Sequence, residues 1–508
     1  MDDPSKTRGD AHHHSLAVPF AAIVLAMLPA VLDQTILATA LPTIATDLGH
    51  ISDVSWVVTA YVVSAAAFTP LWGKLGDRLG RKLLLEIALV MFISASALCG
   101  VAQGITELIV LRVVQGAAAG GLMALAMAVV GDLVAPRERG RYQGYIAAAF
   151  AVATVVGPLL GGLLVDHASW RWVFYLNLPV GVAALAGLRL RLPAPNTGPV
   201  EKPLDRWGAA LLAAATGAFM LACIWGGDRY AWGSPQILGL IAGAVVLASL
   251  LVRRERHVAD PIIPLDMLRT RTVSVVSAAL FLAIATMFAI TVFVPVFVQT
   301  TTGASPTQAG LLLIPMMLGI TLSTTLSGRS ITRTGRYKRF PIAGLALMTL
   351  ALLLLAVFAS DPSQVTVGIG IAVFGIGFGM VTQVLIVAIQ NSVDRRQLGV
   401  ATATAGFFRA LGGAVGAAVL GAVFASRVGT HVSGGVQALS AHARDDIIAG
   451  VQAVFLVAAP LAALALVATL ALPELRLQRR DERPAEPAPE RDQGLRGERA
   501  RIPIGATR

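Results

Sequence analysis

Apolar residues run in long blocks along almost the whole chain, separated by short polar segments. Most blocks hold about 18 to 27 residues, the length that an α-helix needs to cross the hydrocarbon core of a bilayer. The pattern therefore predicts an all-α integral membrane protein with fourteen spanning helices. The predicted spans are 17–42, 54–72, 83–102, 107–130, 143–165, 171–192, 207–226, 235–252, 272–299, 307–328, 340–358, 364–390, 399–425 and 447–472.

Composition supports a membrane protein. Of the 508 residues 56% are hydrophobic and 14% are charged, which excludes a soluble globular protein of this size. The two cysteines, Cys99 and Cys223, lie in apolar blocks, so we expect no disulfide. The first block is too long for a cleaved signal peptide. The residues that directly flank the histidines at 12–14 are neither acidic nor cysteine, so we expect no metal site.

The distribution of positive charge predicts the orientation of the chain. With a cytoplasmic N-terminus, 34 of the 40 Lys and Arg residues fall in the inward segments and four in the outward loops. By the positive-inside rule, both termini are cytoplasmic and the protein is a multi-pass protein of the cell (inner) membrane. The net charge of +11 is thereby explained without nucleic acid.

Two short patterns recur at nearly one interval. Residues 73–82 (GKLGDRLGRK) match 328–338 (GRSITRTGRYK) at an offset of 255, and Gly140 matches Gly399 at an offset of 259. Two six-helix bundles in parallel repeat, separated by two inserted helices, explain both offsets. The predicted regions are a cytoplasmic tail at 1–16, a first bundle at 17–192, a linker with two extra helices at 193–271, a second bundle at 272–473, and a disordered basic tail at 474–508.

Several motifs carry a resemblance to a known family. Residues 73–82 match G-x-L-x-D-R-x-G-R-[KR], 155–162 (VVGPLLGG) contain G-P-x-x-G-G, and 108–121 contain R-x-x-Q-G. Residues 32–42 follow L-D-x-T-I-x-x-x-A-L-P, with Ala38 where an Asn is common, and 170–181 read WRWVFYLNLPVG. The chain resembles the major facilitator superfamily, specifically its fourteen-helix drug:proton antiporter branch of the EmrB/QacA type. The resemblance implies the major facilitator fold, with the substrate site between two halves.

The loop motif implies a cytoplasmic gate. Its glycines allow close approach of helix ends. Its acid can face a helix N-terminus across the interface between halves, where the helix dipole favours an anion. Anchoring by positive charge alone would explain the lysines and leave the acid unexplained. The predicted gating residues are Gly73, Asp77, Arg78, Gly80 and Arg81.

The motif in the fifth span is typical of antiporters. Proline removes a backbone hydrogen bond and glycine removes side-chain bulk. Ordinary close packing accounts for part of this pattern. We further expect the bend to prevent proton leakage while the helix moves. The residues concerned are Gly157, Pro158, Gly161 and Gly162.

Asp33 is the deepest acidic residue of the predicted spans, since Glu86 lies near a span end and spans nine to fourteen have no interior acid. A proton-driven antiporter needs a carboxylate that gains and loses a proton, and an acid inside a membrane is costly unless it has a function. Arg112, on the fourth span, lies at a similar depth. We expect the two to interact and to couple transport to protons; the alternative is a static pair that joins two helices.

Other polar residues in the spans are candidates for a substrate cavity or for contacts between helices, and the sequence does not decide between these roles. Arg409 has no acid in its own half. The predicted cavity residues are Gln34, Tyr61, Gln115, Gln299 and Gln383.

The predicted function is proton-coupled multidrug efflux of lipophilic neutral or monocationic compounds by alternating access. The alternative is a dedicated proton-coupled exporter of a physiological lipid or metabolite. An enzyme is disfavoured, because no H-E-x-x-H, G-x-S-x-G or P-loop motif occurs, so we expect no catalytic or metal site. The expected energy source is the proton gradient, without a cofactor. Expected partners are small lipophilic substrates, protons and membrane lipids; we expect a monomer, and the sequence leaves the need for an outer adaptor open.

Overall fold

The computed structural model describes residues 4–48, 51–192, 205–227, 229–302, 311–358, 364–428 and 441–474. These residues form helices joined by short turns, and the described part of the chain contains no β-strand beyond an isolated bridge between Gly226 and Tyr230. Thirteen of the described helices are long and apolar enough to cross a membrane. The predicted all-helical membrane class is confirmed.

The first half of the chain forms seven helices, of which the sixth is a single short turn before the seventh. They are α1 (Pro4–Leu48), α2 (Ile51–Leu79), α3 (Arg81–Val101), α4 (Ile105–Leu133), α5 (Arg139–His167), α6 (Trp172–Tyr175) and α7 (Asn177–Arg191).

The inserted hairpin consists of α8 (Arg206–Trp225) and α9 (Pro235–Glu255). The second half continues through a π-helical turn at Ala289–Phe293 and a 3₁₀ turn at Arg395–Gln397. Its helices are α10 (Leu265–Arg269), α11 (Arg271–Phe288), α12 (Val294–Thr302), α13 (Ile314–Thr334), α14 (Arg339–Val357), α15 (Gln364–Asn391), α16 (Leu398–Val428) and α17 (Ala441–Leu470).

Each half packs around its own apolar core. In the first half α1 contacts α4, α5 and α7, while α4 packs on α2 and α3. In the second, α11, α14, α15, α16 and α17 enclose a core that includes Phe297, Phe374 and Phe455. The most extensive contacts between the halves are those of α2 with α16 and of α5 with α13, and α8 contacts both α2 and α16. The outer face of α9 exposes Leu238, Val245 and Val246, as expected of a helix in lipid.

Two differences from the predicted layout concern segment ends. The tenth predicted span, 307–328, corresponds to Ile314–Thr334, so that helix extends further toward its C-terminal end. Its predicted start falls within 303–310, outside the described residues, and the count of fourteen stays a prediction. The backbone of 4–16, predicted as a tail, is helical, since a helix once formed extends at low cost. The predicted tail from 475 onward lies outside the described residues.

Candidate functional site

Asp33 and Arg112 form an ion pair inside the first half. Asp33 lies on α1 and Arg112 on α4, and the Arg112 Nη1 is 2.5 Å from the Asp33 Oδ2. Asp33 is 0% exposed and Arg112 1% exposed. Because α1 packs directly against α4, both side chains are held between the same two helices. The residues predicted to interact are therefore in direct contact.

Protein groups satisfy both charges of this pair. Gln115 donates through Nε2 to the Asp33 Oδ1 at 2.9 Å, and Arg112 donates through Nη1 to the Gln115 Oε1 at 2.7 Å and through Nε to the Val57 carbonyl at 3.1 Å. The Arg112 guanidinium also lies 4.1 Å from the ring centroid of Tyr61. Removing two charges from water is costly, and these hydrogen bonds to the remaining polar atoms of the pair offset that cost.

Asn177, which the sequence-based search did not select, also contacts Asp33. Its Nδ2 donates to the Asp33 Oδ1 at 3.3 Å and to the Ser96 Oγ at 3.0 Å. Ser96 in turn donates to the Phe174 carbonyl at 2.9 Å. A signal was present, because Asn177 is the one amide in the apolar segment WRWVFYLNLPVG. The network therefore links α1 and α4 with α3 and α7.

The glycines of the fifth-span motif bring α5 against α1 beside Asp33. A Cβ at Gly157 would lie 2.7 Å from the Thr35 Cβ, and one at Gly161 would lie 2.8 Å from the Ile36 carbonyl oxygen. Both positions therefore require glycine for this approach. Pro158 lies inside α5 between them. A Cβ at Gly162 would meet nothing within 4 Å, so this glycine does not serve the α1 contact.

Asp77 caps a helix of the opposite half. Its Oδ1 accepts from the Gly399 N–H and its Oδ2 from the Val400 N–H, both at 2.8 Å. These N–H groups belong to the first turn of α16, where the helix dipole favours a negative charge. The arrangement that the loop motif predicts for the acid is present in this conformation.

Arg81 extends the contact around Asp77. Its Nε and Nη2 donate to the Asp77 Oδ1 at 3.0 and 2.6 Å, and Nη2 also donates to the Arg395 carbonyl at 2.6 Å. Nη1 pairs with Asp132. Gly80 has a φ of 98°, which only glycine adopts without strain, and it separates α2 from α3 so that Arg81 can turn back toward Asp77.

The two repeats found in the sequence contact each other crosswise. Gly73 of α2 meets Gly399 of α16, and Gly140 of α5 meets Gly328 of α13. Since Gly73 corresponds to Gly328 and Gly140 to Gly399, each crossing pairs one member of each repeat. Both crossings lie at the end of the bundle that carries residues 73–82, 134–141, 328–339 and 391–398, which we call the basic end.

The predicted cavity residues divide into two groups. Tyr61 and Gln115 are fully buried, with the Tyr61 hydroxyl donating to the Ala30 carbonyl at 3.1 Å, so in this conformation they support the Asp33 network. Gln34 is exposed, while Gln299 and Gln383 are half-buried. These three glutamines lie on helices of both halves, α1, α12 and α15, and only Gln34 is exposed.

Glu86 and Arg409 are the remaining charged residues that the sequence singled out. Glu86 lies one turn into α3, 3.5 Å from Arg189 and 4.0 Å from Lys82, at the basic end rather than beside Asp33. Arg409 lies within α16 and is half-buried. Among the described residues, no group of three or more His, Cys, Asp or Glu side chains is arranged to hold a metal ion.

Comparison with known proteins gives matches over most of the chain. A family model described as Major Facilitator Superfamily matches residues 23–417 and, in an overlapping match, 276–504. An MFS-type transporter of Mycobacterium tuberculosis is 39% identical over 420 residues, which cover 82% of this chain and 61% of that protein, less than two thirds of its length.

Two further proteins are similar to this chain. The multidrug transporter protein MdtP of Bacillus subtilis is 37% identical over 408 residues, 80% of this chain and 75% of that protein. Among solved structures, the human organic anion transporter MFSD10 superposes with a TM-score of 0.62 at 19% identity, covering 89% of this chain and 99% of that one. At that identity the similarity is evidence for the fold alone.

Proposed function

We propose that this chain, which belongs to the Major Facilitator Superfamily, exports lipophilic neutral or monocationic compounds in exchange for protons. As a member of that family it has the major facilitator fold and is a multi-pass membrane transporter, not an enzyme, and the family needs no cofactor. We also propose that it belongs to the fourteen-helix drug:proton antiporter branch and is driven by the proton gradient. It acts as a monomer in the cell (inner) membrane, with both termini in the cytoplasm.

The buried pair of Asp33 and Arg112 is the observation that carries proton coupling. A proton on Asp33 removes the charge that Arg112 balances, and the guanidinium then has to find another acceptor. Because Asp33 is on α1 and Arg112 is on α4, that exchange changes a contact between two helices of one half. Proton binding therefore alters the stability of the helix arrangement, which antiport requires. A static pair would instead need no proton exchange.

Charge balance at this pair supports the proposed substrate class. With Asp33 protonated and Arg112 charged, the site carries one positive charge. With Asp33 ionised and a monocation bound, the site carries the same charge, so the exchange costs little electrostatic energy. A neutral compound leaves the ion pair intact. A dication adds a charge with no partner, at a cost of several kcal/mol in a low-dielectric site.

Export rather than import is supported by relatives. The name of MdtP describes a multidrug transporter, and other similar proteins are named efflux pumps. Export of a single physiological lipid or metabolite is the second candidate, because a similar protein of Aspergillus aculeatus is named as the MFS-type transporter of a biosynthesis cluster. A panel of chemically unrelated dyes and antibiotics would distinguish a broad substrate range from a narrow one.

Reconstituted vesicles test proton coupling directly. Wild type, Asp33→Asn and the control Glu86→Gln are placed in proteoliposomes with a pH gradient, and uphill dye transport is measured. We expect Asp33→Asn to abolish gradient-driven transport and to keep passive dye exchange, while Glu86→Gln resembles the wild type. Gradient-driven transport by Asp33→Asn would exclude Asp33 as the coupling residue and would direct attention to Glu86.

A further inference from the structure

Arg409 is a charged side chain within a membrane-spanning helix and has no partner among the residues that the structure describes. It follows Leu398, the first residue of α16, by roughly 16 Å of helical rise. Within the described part of the chain, no side chain or carbonyl forms a hydrogen bond or ion pair with its guanidinium. The acids of 272–473 are Asp361, Asp394, Asp445 and Asp446, all outside the predicted spans. The predicted spans of its own half therefore contain no acid that could neutralise this charge.

The neighbours of Arg409 along α16 show where its side chain points. A Cβ at Gly406 would contact Thr69 of α2 at 3.5 Å, and one at Gly412 would meet the backbone of Phe281 on α11. These two positions lie on either side of Arg409, each about 60° around the helix. Arg409 therefore faces the space between α2 of the first half and α11 of the second, at the boundary between the two halves.

The two arginines inside the spans differ in charge balance. Arg112 is matched by Asp33, so the pair has no net charge, whereas Arg409 adds one positive charge between the halves. An unmatched charge at this depth is costly and marks a functional group that awaits a partner. Arginine binds carboxylates through two parallel hydrogen bonds, which adds directional specificity to the charge.

We propose that Arg409 binds the carboxylate, or another singly charged oxyanion, of the exported compound. This inference rests on the proposed function and narrows its substrate class. The favoured substrates are lipophilic zwitterions, which are neutral overall and place their anionic group at Arg409. Arg409 is thus a specificity-determining residue, and the Asp33 pair serves protons.

Rhodamine B and its ethyl ester provide a matched pair of probes. The two dyes share one aromatic body, but the acid is a zwitterion and the ester a monocation. Binding to purified protein in lipid nanodiscs is measured by fluorescence anisotropy. For the wild type we expect the acid to bind about tenfold more tightly than the ester, since a hydrogen bond to a charged group contributes that much.

The variants separate recognition from packing. Arg409→Gln should reduce the preference for the acid to about twofold or less while ester binding persists, and Arg409→Lys should keep part of the preference. Arg427→Gln, an exposed position on the same helix, is the control and should keep the wild-type ratio. Equal affinity of the two dyes for the wild type, or equal weakening of both by Arg409→Gln and Arg409→Lys, would overturn the inference.

These binding measurements need no proton gradient, so they separate the inference from the proposed function. A wild type that prefers the acid but lacks gradient-driven efflux contradicts proton-coupled export alone. A wild type with gradient-driven efflux of the ester and no preference for the acid contradicts the role of Arg409 alone.

A second inference concerns residues 256–264, which connect the inserted hairpin to the second half and which we call the connector. In this connector Asp260 pairs with Lys74 and lies 3.5 Å from the Arg78 Nη1. Both partners belong to the loop motif at residues 73–82, which we call the gating loop. Asp260 also lines a cavity of about 790 Å³ together with the 391–397 segment of the second half. The connector, the gating loop and the second half therefore meet at the basic end.

Hydrogen bonds join the two helices of the inserted hairpin to each other and to this connector. Asp205 caps α8 by accepting from the Gly208 N–H at 2.9 Å, and the Arg254 Nε at the end of α9 lies 2.7 Å from the Asp205 Oδ1. Glu255 accepts from the Ile262 N–H at 3.1 Å, which folds the connector back onto α9. A rigid base of this kind lets Asp260 restrain the loop.

The inserted helices also touch both halves. Trp225 of α8 stacks edge-on against Trp56 of α2, with ring centroids 4.8 Å apart. Met220 of α8 packs with Ala66 of α2 and Ala414 of α16. We infer that the hairpin stabilises the closed basic end, with Asp260 as a positioning residue that holds Lys74 and Arg78 of the gating loop.

A charge exchange tests this role. Thr325, which faces Gly144 across the interface, is changed to Cys as a reporter after Cys99 and Cys223 are replaced by Ala. We expect Asp260→Lys to raise the labelling rate of the reporter about tenfold by opening the basic end, and Lys74→Asp combined with Asp260→Lys to restore most of the protection. Asp266→Asn, at an exposed acid of α10 close to this connector, should leave labelling unchanged.

Rescue by the exchanged pair would show that the ion pair itself, rather than a general effect of either substitution on folding, keeps the basic end closed. Unchanged labelling in Asp260→Lys, or no recovery in the exchanged pair, would overturn the inference. Proton-driven transport is measured in parallel, and its pH dependence should match the wild type in the exchanged pair.

Discussion

The two crossings at the basic end are alike in backbone and different in charge. At one, Gly399 of α16 lies so close to α2 that an added Cβ would be 2.6 Å from the Gly73 carbonyl oxygen. At the other, a Cβ on Gly140 of α5 would be 2.9 Å from the Gly328 Cα of α13. The repeat thus supplies two equivalent contacts that both require glycine.

The polar groups beside these glycines differ. Asp77, four residues after Gly73, accepts from two N–H groups of α16. The equivalent position after Gly328 is Thr332, whose carbonyl accepts from the Arg137 Nε at 2.6 Å. The first crossing joins an acid to a helix N-terminus, and the second joins a cation to the carbonyls at the end of α13, where the dipole favours positive charge. Equal backbone geometry therefore carries unequal electrostatic stabilisation.

Gly399→Ala should have the largest effect of the changes at these crossings. The added methyl group would overlap the Gly73 carbonyl and the Asp77 carboxylate. The free energy that favours the conformation closed at the basic end should therefore fall by about 2–3 kcal/mol. We expect transport to fall by more than tenfold and the Thr325→Cys reporter to become labelled rapidly. Gly421→Ala, on the same helix with nothing within 4 Å of the added Cβ, is the control and should transport normally.

Asp77→Asn should have the second-largest effect of these changes. The amide keeps the shape of the side chain, but it removes the charge that faces α16 and Arg81. Arg81 keeps its hydrogen bonds to Asp132 and to the Arg395 carbonyl. We therefore expect the conformation closed at the basic end to lose about 1–2 kcal/mol of stability, less than for a fully unpaired buried charge.

The reporter at position 325 should then be labelled about tenfold faster, with transport reduced and its proton coupling unchanged. An unchanged balance between the two open states would contradict the gating role of Asp77. Glu86→Gln, an acid at the same end that does not touch α16, is the matched control.

The crossings were partly predictable from sequence. The interval of 255 to 259 residues between matching glycines predicts two equivalent halves, and an acid in the loop motif predicts a helix-terminus contact. The pairing of Gly73 with Gly399 was not predictable, because a repeat shows which residues are equivalent and not which ones touch. The role of Arg137 was also missed, since its partners are main-chain carbonyls and leave no trace in the side-chain pattern.

The interior site shows a similar limit. Asp33 and Arg112 stand out because charges are rare in apolar spans, and helical rise places them at similar depth. From the sequence, Gln115 is a candidate either for a substrate cavity or for a contact between helices, and its amide lies inside the Asp33 network. Sequence spacing locates a polar residue on a helix, but whether it faces a cavity or another helix depends on packing angles that only the folded structure defines.

Arg137→Gln sharpens the comparison and should have a smaller effect than Asp77→Asn. Arg137 is half-buried and its acceptors are carbonyls that water can also satisfy, so we expect a loss below about 1 kcal/mol. Reporter labelling should rise about twofold to threefold. Arg141→Gln, whose side chain contacts Tyr145 on its own helix, should leave labelling unchanged. An effect as large as that of Asp77→Asn would show that the two crossings are electrostatically equal.

Thr332→Asp should have the smallest effect, and it is the one change expected to strengthen the closed basic end. It places an acid at the position equivalent to Asp77, near the start of α5 and close to Arg137. The first turn of α5 offers less than that of α16, because the Arg139 and Arg141 N–H groups already donate to the carbonyls of Ala135 and Glu138. We therefore expect a gain of only about 0.3–1 kcal/mol, typical of a charge near a helix N-terminus.

The Thr332→Asp gain should appear as slower labelling of the Thr325→Cys reporter, by about twofold. The isosteric Thr332→Val is the control, because it removes the hydroxyl, which bonds only the Gly328 carbonyl of its own helix, without adding a charge. In an Asp77→Asn background the same acid should recover part of the lost protection, since both crossings close the same end. Faster labelling in Thr332→Asp would mean that the N-terminus of α5 does not face position 332 in the way that the N-terminus of α16 faces Asp77. The two crossings would then be equivalent only in their glycine contacts.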